Sequence, residues 1–105
     1  MNYELTKREK KIARACLDIA FAAEIREGLE KSDAILQEWR NGKSEGDRTT
    51  YAALYQTIMD HEKSIYRKYN TEEANHLMLV ASVYRDGYID DNDIKDFSGL
   101  RRNGL

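Results

Sequence analysis

Residues 6–40 read TKREKKIARACLDIAFAAEIREGLEKSDAILQEWR, and this stretch decides the fold. It opens on Thr6, followed three residues on by Glu9. That spacing predicts a capping box, in which hydroxyl and carboxylate each accept a backbone N–H of the first turn. Helical spacing of apolar residues then continues to about Arg40, where Asn41-Gly42 and Gly46-Asp47 supply a stop and a loop. Gly28 is the weak point, since glycine inside a helix costs about 1 kcal/mol relative to alanine. A kink at Gly28, or a restart capped by Ser32 or Asp33, is the alternative to one continuous helix.

Set out at about 100° per residue, this helix carries two apolar stripes. Ile12, Cys16, Ile19 and Ala23 share one face; Leu17, Phe21, Ile25 and Leu29 share another, roughly opposite, which Leu36 and Trp39 continue. A helix of this length is about 50 Å long at ~1.5 Å per residue. A small helical domain has difficulty covering both of its sides. Either the helix breaks near Gly28 and both stripes fold inward, or a second chain covers the open one, because large exposed apolar patches are uncommon on monomers. The interface candidates are therefore Leu17, Phe21, Ile25, Leu29, Leu36 and Trp39. A two-fold homodimer is the commonest assembly of this kind.

The periodicity predicts a second helix from about Thr49 or Thr50 to Tyr69. Tyr51, Leu54, Tyr55, Ile58, Ile65 and Tyr69 lie on its apolar face, with Met59 and Tyr66 flanking. Asn70-Thr71 breaks the chain, and Asn70 with Glu73 offers another capping box. A third helix follows to about Arg85. Its residues 77–84, LMLVASVY, are apolar nearly all round, which predicts a central position. Gly87 suits a left-handed helix stop. Asp90 then caps a short fourth helix with Ile94 and Phe97 facing inward, and residues 98–105 read as a frayed tail. The fold class is all-α: a small helical bundle with a long first helix, two further main helices and a short C-terminal helix. Its 105 residues suit one domain and contain no proline.

Composition narrows the function classes. At 41% apolar and 34% charged residues, the chain is too apolar for disorder and too charged for a membrane protein. The net charge of −2 gives no global attraction to nucleic acid or anionic lipid. Charge is nevertheless segregated, with Lys7, Arg8, Lys10, Lys11 and Arg14 at the start and Asp86, Asp90, Asp91, Asp93 and Asp96 late in the chain. The acidic fourth helix repels phosphate, so helices three and four do not read DNA as a helix-turn-helix would. Cys16 is the only cysteine, which excludes an intrachain disulfide and suggests a buried, inert thiol in a reducing compartment. Arg14, Asp18 and Glu24 interrupt the first apolar stretch, so no signal peptide is visible; no run approaches the ~18 apolar residues of a membrane span, and the expected location is the cytoplasm.

The chemistry-bearing residues are few. Glu62 lies among Ile58, Met59, Ile65 and Tyr66 on the apolar face of the second helix, which predicts a carboxylate at least partly withdrawn from water. Glu73 and His76 form Glu-x-x-His, a spacing that puts both on one side of a helix and occurs in di-iron bundles. Glu62, Glu73 and His76, with Glu24 or Glu27, make up the alternative reading of a carboxylate–histidine metal site. His61 lies beside Glu62, and nothing local pairs it with Cys16 for nucleophilic chemistry.

Asp86-Gly87-Tyr88-Ile89-Asp90 with Asp93 resembles the second half of an EF-hand calcium loop. Gly87 takes the sharp-turn position, Ile89 the apolar position and Asp93 the last ligand position. Ser82 and Tyr84 occupy the first and third positions, where the family has its strongest early ligands, so a helix stop and a cap account for the same letters. Gly42-Lys43-Ser44 lacks the upstream glycine of a phosphate loop, Gln37 standing in its place. Seven tyrosines, apolar bodies with polar tips, suit an interface or the rim of a small core. No catalytic constellation has adequate spacing and no cofactor is implied. The sequence points to a non-enzymatic protein-binding or regulatory module that self-associates.

Overall fold

The computed structural model describes residues 5–72 and 75–97. The chain is all-α, with α1 (Lys7–Arg40), α2 (Asp47–Tyr69), α3 (His76–Arg85) and α4 (Asp91–Ile94), and the described residues contain no strand. The long first helix, the two further main helices and the short C-terminal helix match the expectation from periodicity.

Local chemistry sets most of the helix ends. The Thr6 N–H donates to Glu9 Oε1 and the Glu9 N–H to Thr6 Oγ1, both at 3.1 Å, closing the expected capping box. At the other end of α1, Gly42 adopts φ 71°; the Lys43 N–H donates to the Glu38 carbonyl at 2.9 Å and the Gly42 N–H to that of Trp39 at 3.2 Å. The same arrangement ends α3. Gly87 has φ 84°, the Tyr88 N–H reaches the Val83 carbonyl at 3.0 Å and the Gly87 N–H that of Tyr84 at 3.1 Å. Both are Schellman motifs, which need a left-handed residue that glycine supplies without a Cβ clash. Asp90 caps α4 reciprocally with Asp93: the Asp93 N–H donates to Asp90 Oδ1 at 3.1 Å, and the Asp90 N–H to Asp93 Oδ2 at 2.8 Å.

One open alternative closes and two expectations are corrected. α1 does not break or restart at Gly28 but runs unbroken to Arg40, and the Ser32 hydroxyl donates back to the Gly28 carbonyl at 2.9 Å. α3 begins at His76 rather than directly after Asn70, and Asn75 at its N-cap uses its side-chain amide on Thr71 Oγ1 at 3.2 Å. The proposed Asn70–Glu73 cap cannot be placed, because Glu73 lies outside the described residues, as does the 98–105 tail. α3 is also less enclosed than its letters imply, since Val80 and Val83 are fully buried while Met78 is 74% exposed.

The chain divides into two compact units. The first takes α1 up to Ala23 together with the described residues from Tyr69 onward. Its core is Ala13, Cys16, Leu17, Ala20, Val80, Val83, Ile89, Ile94 and Phe97, and Phe97 is its largest fully buried side chain. Both inward residues expected of the last helix, Ile94 and Phe97, are in this core. The second unit, Glu24–Lys68, is an antiparallel hairpin of the later part of α1 and nearly all of α2.

Candidate interaction face

The inner side of the hairpin is built from small and polar residues. Glu24, Ser32, Thr50 and Ile65 are buried, and Ile65 alone among them is apolar. Lys68 Nζ pairs with Glu24 Oε2 at 3.0 Å, and His61 Nε2 donates to the Glu24 backbone carbonyl at 2.5 Å. The imidazole stands where residue 28 has no side chain: a Cβ there would lie 2.6 Å from His61 Cδ2. Gly28 thus lowers helix propensity but lets α2 approach. Near the loop, Trp39 Nε1 donates to Asp47 Oδ1 at 2.7 Å, and the Ser44 and Thr50 hydroxyls are bonded to each other.

This inner side is only partly the expected one: Leu54 and Ile65 of the expected face are turned inward, while Tyr51, Tyr55 and Ile58 are not. Thr50, Leu54, Thr57, His61, Ile65 and Lys68 are the buried or half-buried positions that α2 turns toward α1. Tyr51, Tyr55 and Ile58 are 78%, 60% and 48% exposed, Tyr66 is exposed, and Glu62 among them is exposed as well. Glu62 is therefore not withdrawn from water. The apolar face drawn from periodicity lies about a quarter-turn from the one that packs. Hydrophobic spacing found the most apolar stripe of α2, whereas the stripe that packs sets Thr50, Thr57, His61 and Lys68 beside Leu54 and Ile65.

The α1 interface candidates divide between the units. Leu17 is part of the first unit's core. Phe21 is partly exposed and meets Tyr69 edge-on, with ring centroids 5.4 Å apart and planes at 89°. Ile25 and Leu29 are exposed, Leu36 is half-buried, and Trp39 is partly exposed with its indole N–H bonded as described. At about 100° per residue, Ile25, Leu29 and Leu36 lie on one flank of α1's inner side, and Tyr51, Tyr55 and Ile58 lie on the corresponding flank of α2. Both offsets have the same rotational sense. In antiparallel helices this puts both stripes on one face of the hairpin. A shallow recess on α2, lined by Asp47, Arg48, Tyr51, Ala52 and Tyr55, opens there. A second recess, lined by Asp60, Lys63, Ser64, Arg67 and Lys68, is basic.

The metal alternative gains no geometry. Glu62 is exposed on α2, His76 is half-buried on α3, and Glu73 lies outside the described residues. Among the described residues no group of three or more His, Cys, Asp and Glu side chains could hold an ion. In the segment that resembles an EF-hand, Asp90 and Asp93 spend oxygens on each other's backbone, and Asp91 accepts the Tyr84 hydroxyl. That hydrogen bond is the main reason the Tyr84 pKa is raised, followed by desolvation and the Asp91 charge. The Cys16 thiol donates to the Asp93 carbonyl at 3.4 Å; burial, then the Asp93 charge, push its pKa up to about 11. A thiol so protonated is a poor nucleophile.

No described helix is long and apolar enough to cross a membrane. No protein-family model matches the chain, and no curated protein or solved structure matches it either.

Proposed function

We propose that this chain is a non-enzymatic protein-binding module, working in the cytoplasm, that docks through the apolar face of its Glu24–Lys68 hairpin. The observation that carries the reading is the exposure of Tyr51, Tyr55 and Ile58 on α2 beside Ile25 and Leu29 on α1. Aromatic side chains at the surface combine contact area with a hydrogen-bonding tip, and they are enriched where proteins meet. A contiguous apolar face of this kind on a small protein marks an interaction site or an aggregation hazard. The single buried cysteine is compatible with a reducing compartment. Self-association is one use of this face.

Site-specific photocrosslinking in the native cell tests the reading. A photoreactive residue at Tyr55 is expected to give a discrete protein adduct. The same residue at Asp60, on another side of α2, is not. Adducts of equal strength from both positions, or from neither, would remove the hairpin face as the docking site.

A further inference from the structure

The exposed face of α2 has a symmetry that narrows its occupant. Arg48, Tyr51, Ala52, Tyr55, Ile58, Met59 and Glu62 recur at three- and four-residue steps along two adjacent rows of the helix. At about 100° per residue all seven fall within roughly a third of the helix circumference. Six of them are exposed and Met59 is half-buried. The set is balanced about Tyr55: Ala52 and Ile58 stand three residues to either side, Tyr51 and Met59 four, Arg48 and Glu62 seven.

A second copy laid antiparallel on this face, with the two-fold axis at Tyr55, turns that balance into complementarity. Tyr55 meets its own equivalent. Ala52, the small residue, faces Ile58 of the other copy, and Tyr51 faces Met59, where a thioether against an aromatic ring is favourable. Arg48 faces Glu62 of the other copy, and two-fold symmetry makes that pair twice. Among the described residues neither Arg48 nor Glu62 has an ion-pair partner within the chain. The recess lined by Arg48, Tyr51, Ala52 and Tyr55 lies where Ile58 and Met59 of the second copy would enter.

We infer that the occupant of the hairpin face is a second copy of this chain, docked antiparallel across α2 about Tyr55 and fixed in register by two Arg48–Glu62 pairs. This deepens the docking role proposed above and rests on it. A stable interface takes about 800 Å² from each partner. Tyr51 and Tyr55, at the ~200 Å² typical of an aromatic side chain, supply roughly 280 Å² at their exposures. Ala52, Ile58, Met59 and the Ile25, Leu29 and Leu36 flank of α1 extend it. The assembly joins two hairpins into four helices. It also covers apolar surface that a dimer built on the α1 stripe alone would leave open. Charged pairs at the rim contribute chiefly to register and partner choice.

Sedimentation of the purified full chain over a range of concentrations is the test, with helicity recorded for each variant to show that the fold survives. The wild-type chain is expected to pass reversibly from monomer to dimer. Arg48→Glu and Glu62→Arg should each weaken the dimer about tenfold, because each turns two attractive pairs into repulsive ones. The double variant Arg48→Glu/Glu62→Arg should restore it. Tyr55→Cys, placed on the axis, should form a disulfide-linked dimer on mild oxidation, whereas Asp60→Cys should not. A chain that stays monomeric, or a dimer indifferent to both charge reversals, overturns the inference. So does failure of the double variant to recover. If the purified chain is monomeric while the crosslinker at Tyr55 captures a different protein in the cell, the docking role stands and self-docking falls.

Discussion

The two units of this chain bury different kinds of surface. Among the described residues, the first encloses nine apolar ones from α1, α3, α4 and the segments around them. The second encloses Glu24, Ser32 and Thr50 with Ile65 as its only buried apolar side chain, and leaves its tyrosines outside. Hydrophobic burial at about 25 cal/mol per Å² can hold the first unit together. The hairpin depends more on hydrogen bonds and an ion pair, whose net contributions are modest. A hairpin that leaves its largest apolar side chains outside its own interior suits the docking role proposed for it. On the function proposed for the hairpin, folding and docking fall to different ends of the same long helix.

The largest expected effect tests the first unit's dependence on its core. Phe97→Ala removes the largest fully buried side chain and should cost about 3–5 kcal/mol, measured by denaturant unfolding. A cost below about 1 kcal/mol would mean that the cluster around Phe97 does not hold this unit.

A smaller effect probes the hairpin's close approach. Gly28→Ala improves helix propensity by about 1 kcal/mol but drives a methyl into the His61 ring, and overpacking costs about 1–3 kcal/mol. The net expectation is a loss of roughly 1 kcal/mol. In a His61→Ala background the clash is gone and Gly28→Ala should become stabilising. The same sign in both backgrounds would show that the imidazole does not set the identity of residue 28.

The third effect is confined to alkaline pH. The Cys16 thiol is held protonated up to about 11 against an ordinary value of 9.0. Above pH 9 the unfolded chain loses this proton while the folded chain keeps it, so this contribution to stability is complete below about pH 9 and falls as pH rises toward 11. Cys16→Ala should remove that part of the pH dependence; an unchanged alkaline profile would show that the thiol is not its source. The smallest effect is that of Glu62→Gln on the monomer. An exposed carboxylate changed to an amide should shift stability by less than about 0.5 kcal/mol, while the variant's dimer should weaken detectably.

Legibility in the sequence followed the range of the interaction. The Thr6–Glu9 box, the Gly87 stop and the Asp90 cap were readable because each closes within a few residues, and so were the inward Ile94 and Phe97. The side of α2 that packs was only partly readable from hydrophobic spacing: Leu54 and Ile65 were drawn inward correctly, but Tyr51, Tyr55 and Ile58 outweigh Thr50, Thr57 and His61 in an apolar pattern and pulled the face round. The pairing of Lys68 with Glu24 and of His61 with Gly28 spans long stretches of chain and depends on how two helices meet. A local signal did exist. Gly28 and Ser32 put two small residues one turn apart on one side of α1, the kind of surface that lets a second helix close in. Taken as a sign of close approach, it would have decided between the two readings of Gly28 in favour of a continuous α1. The interface candidates divide by burial, with Leu17 inside a core and Ile25 and Leu29 left outside.

Hydrogen exchange followed at low and high protein concentration tests the division of labour most directly, because it reads both units in one experiment. The account predicts that amides of Glu24–Arg40 and Asp47–Lys68 become more protected as concentration rises, most of all around Tyr55. It predicts that amides of Lys7–Ala23 and His76–Arg85 exchange at concentration-independent rates. Protection of the hairpin that is already maximal in the dilute monomer, or that rises equally in both units, would contradict it.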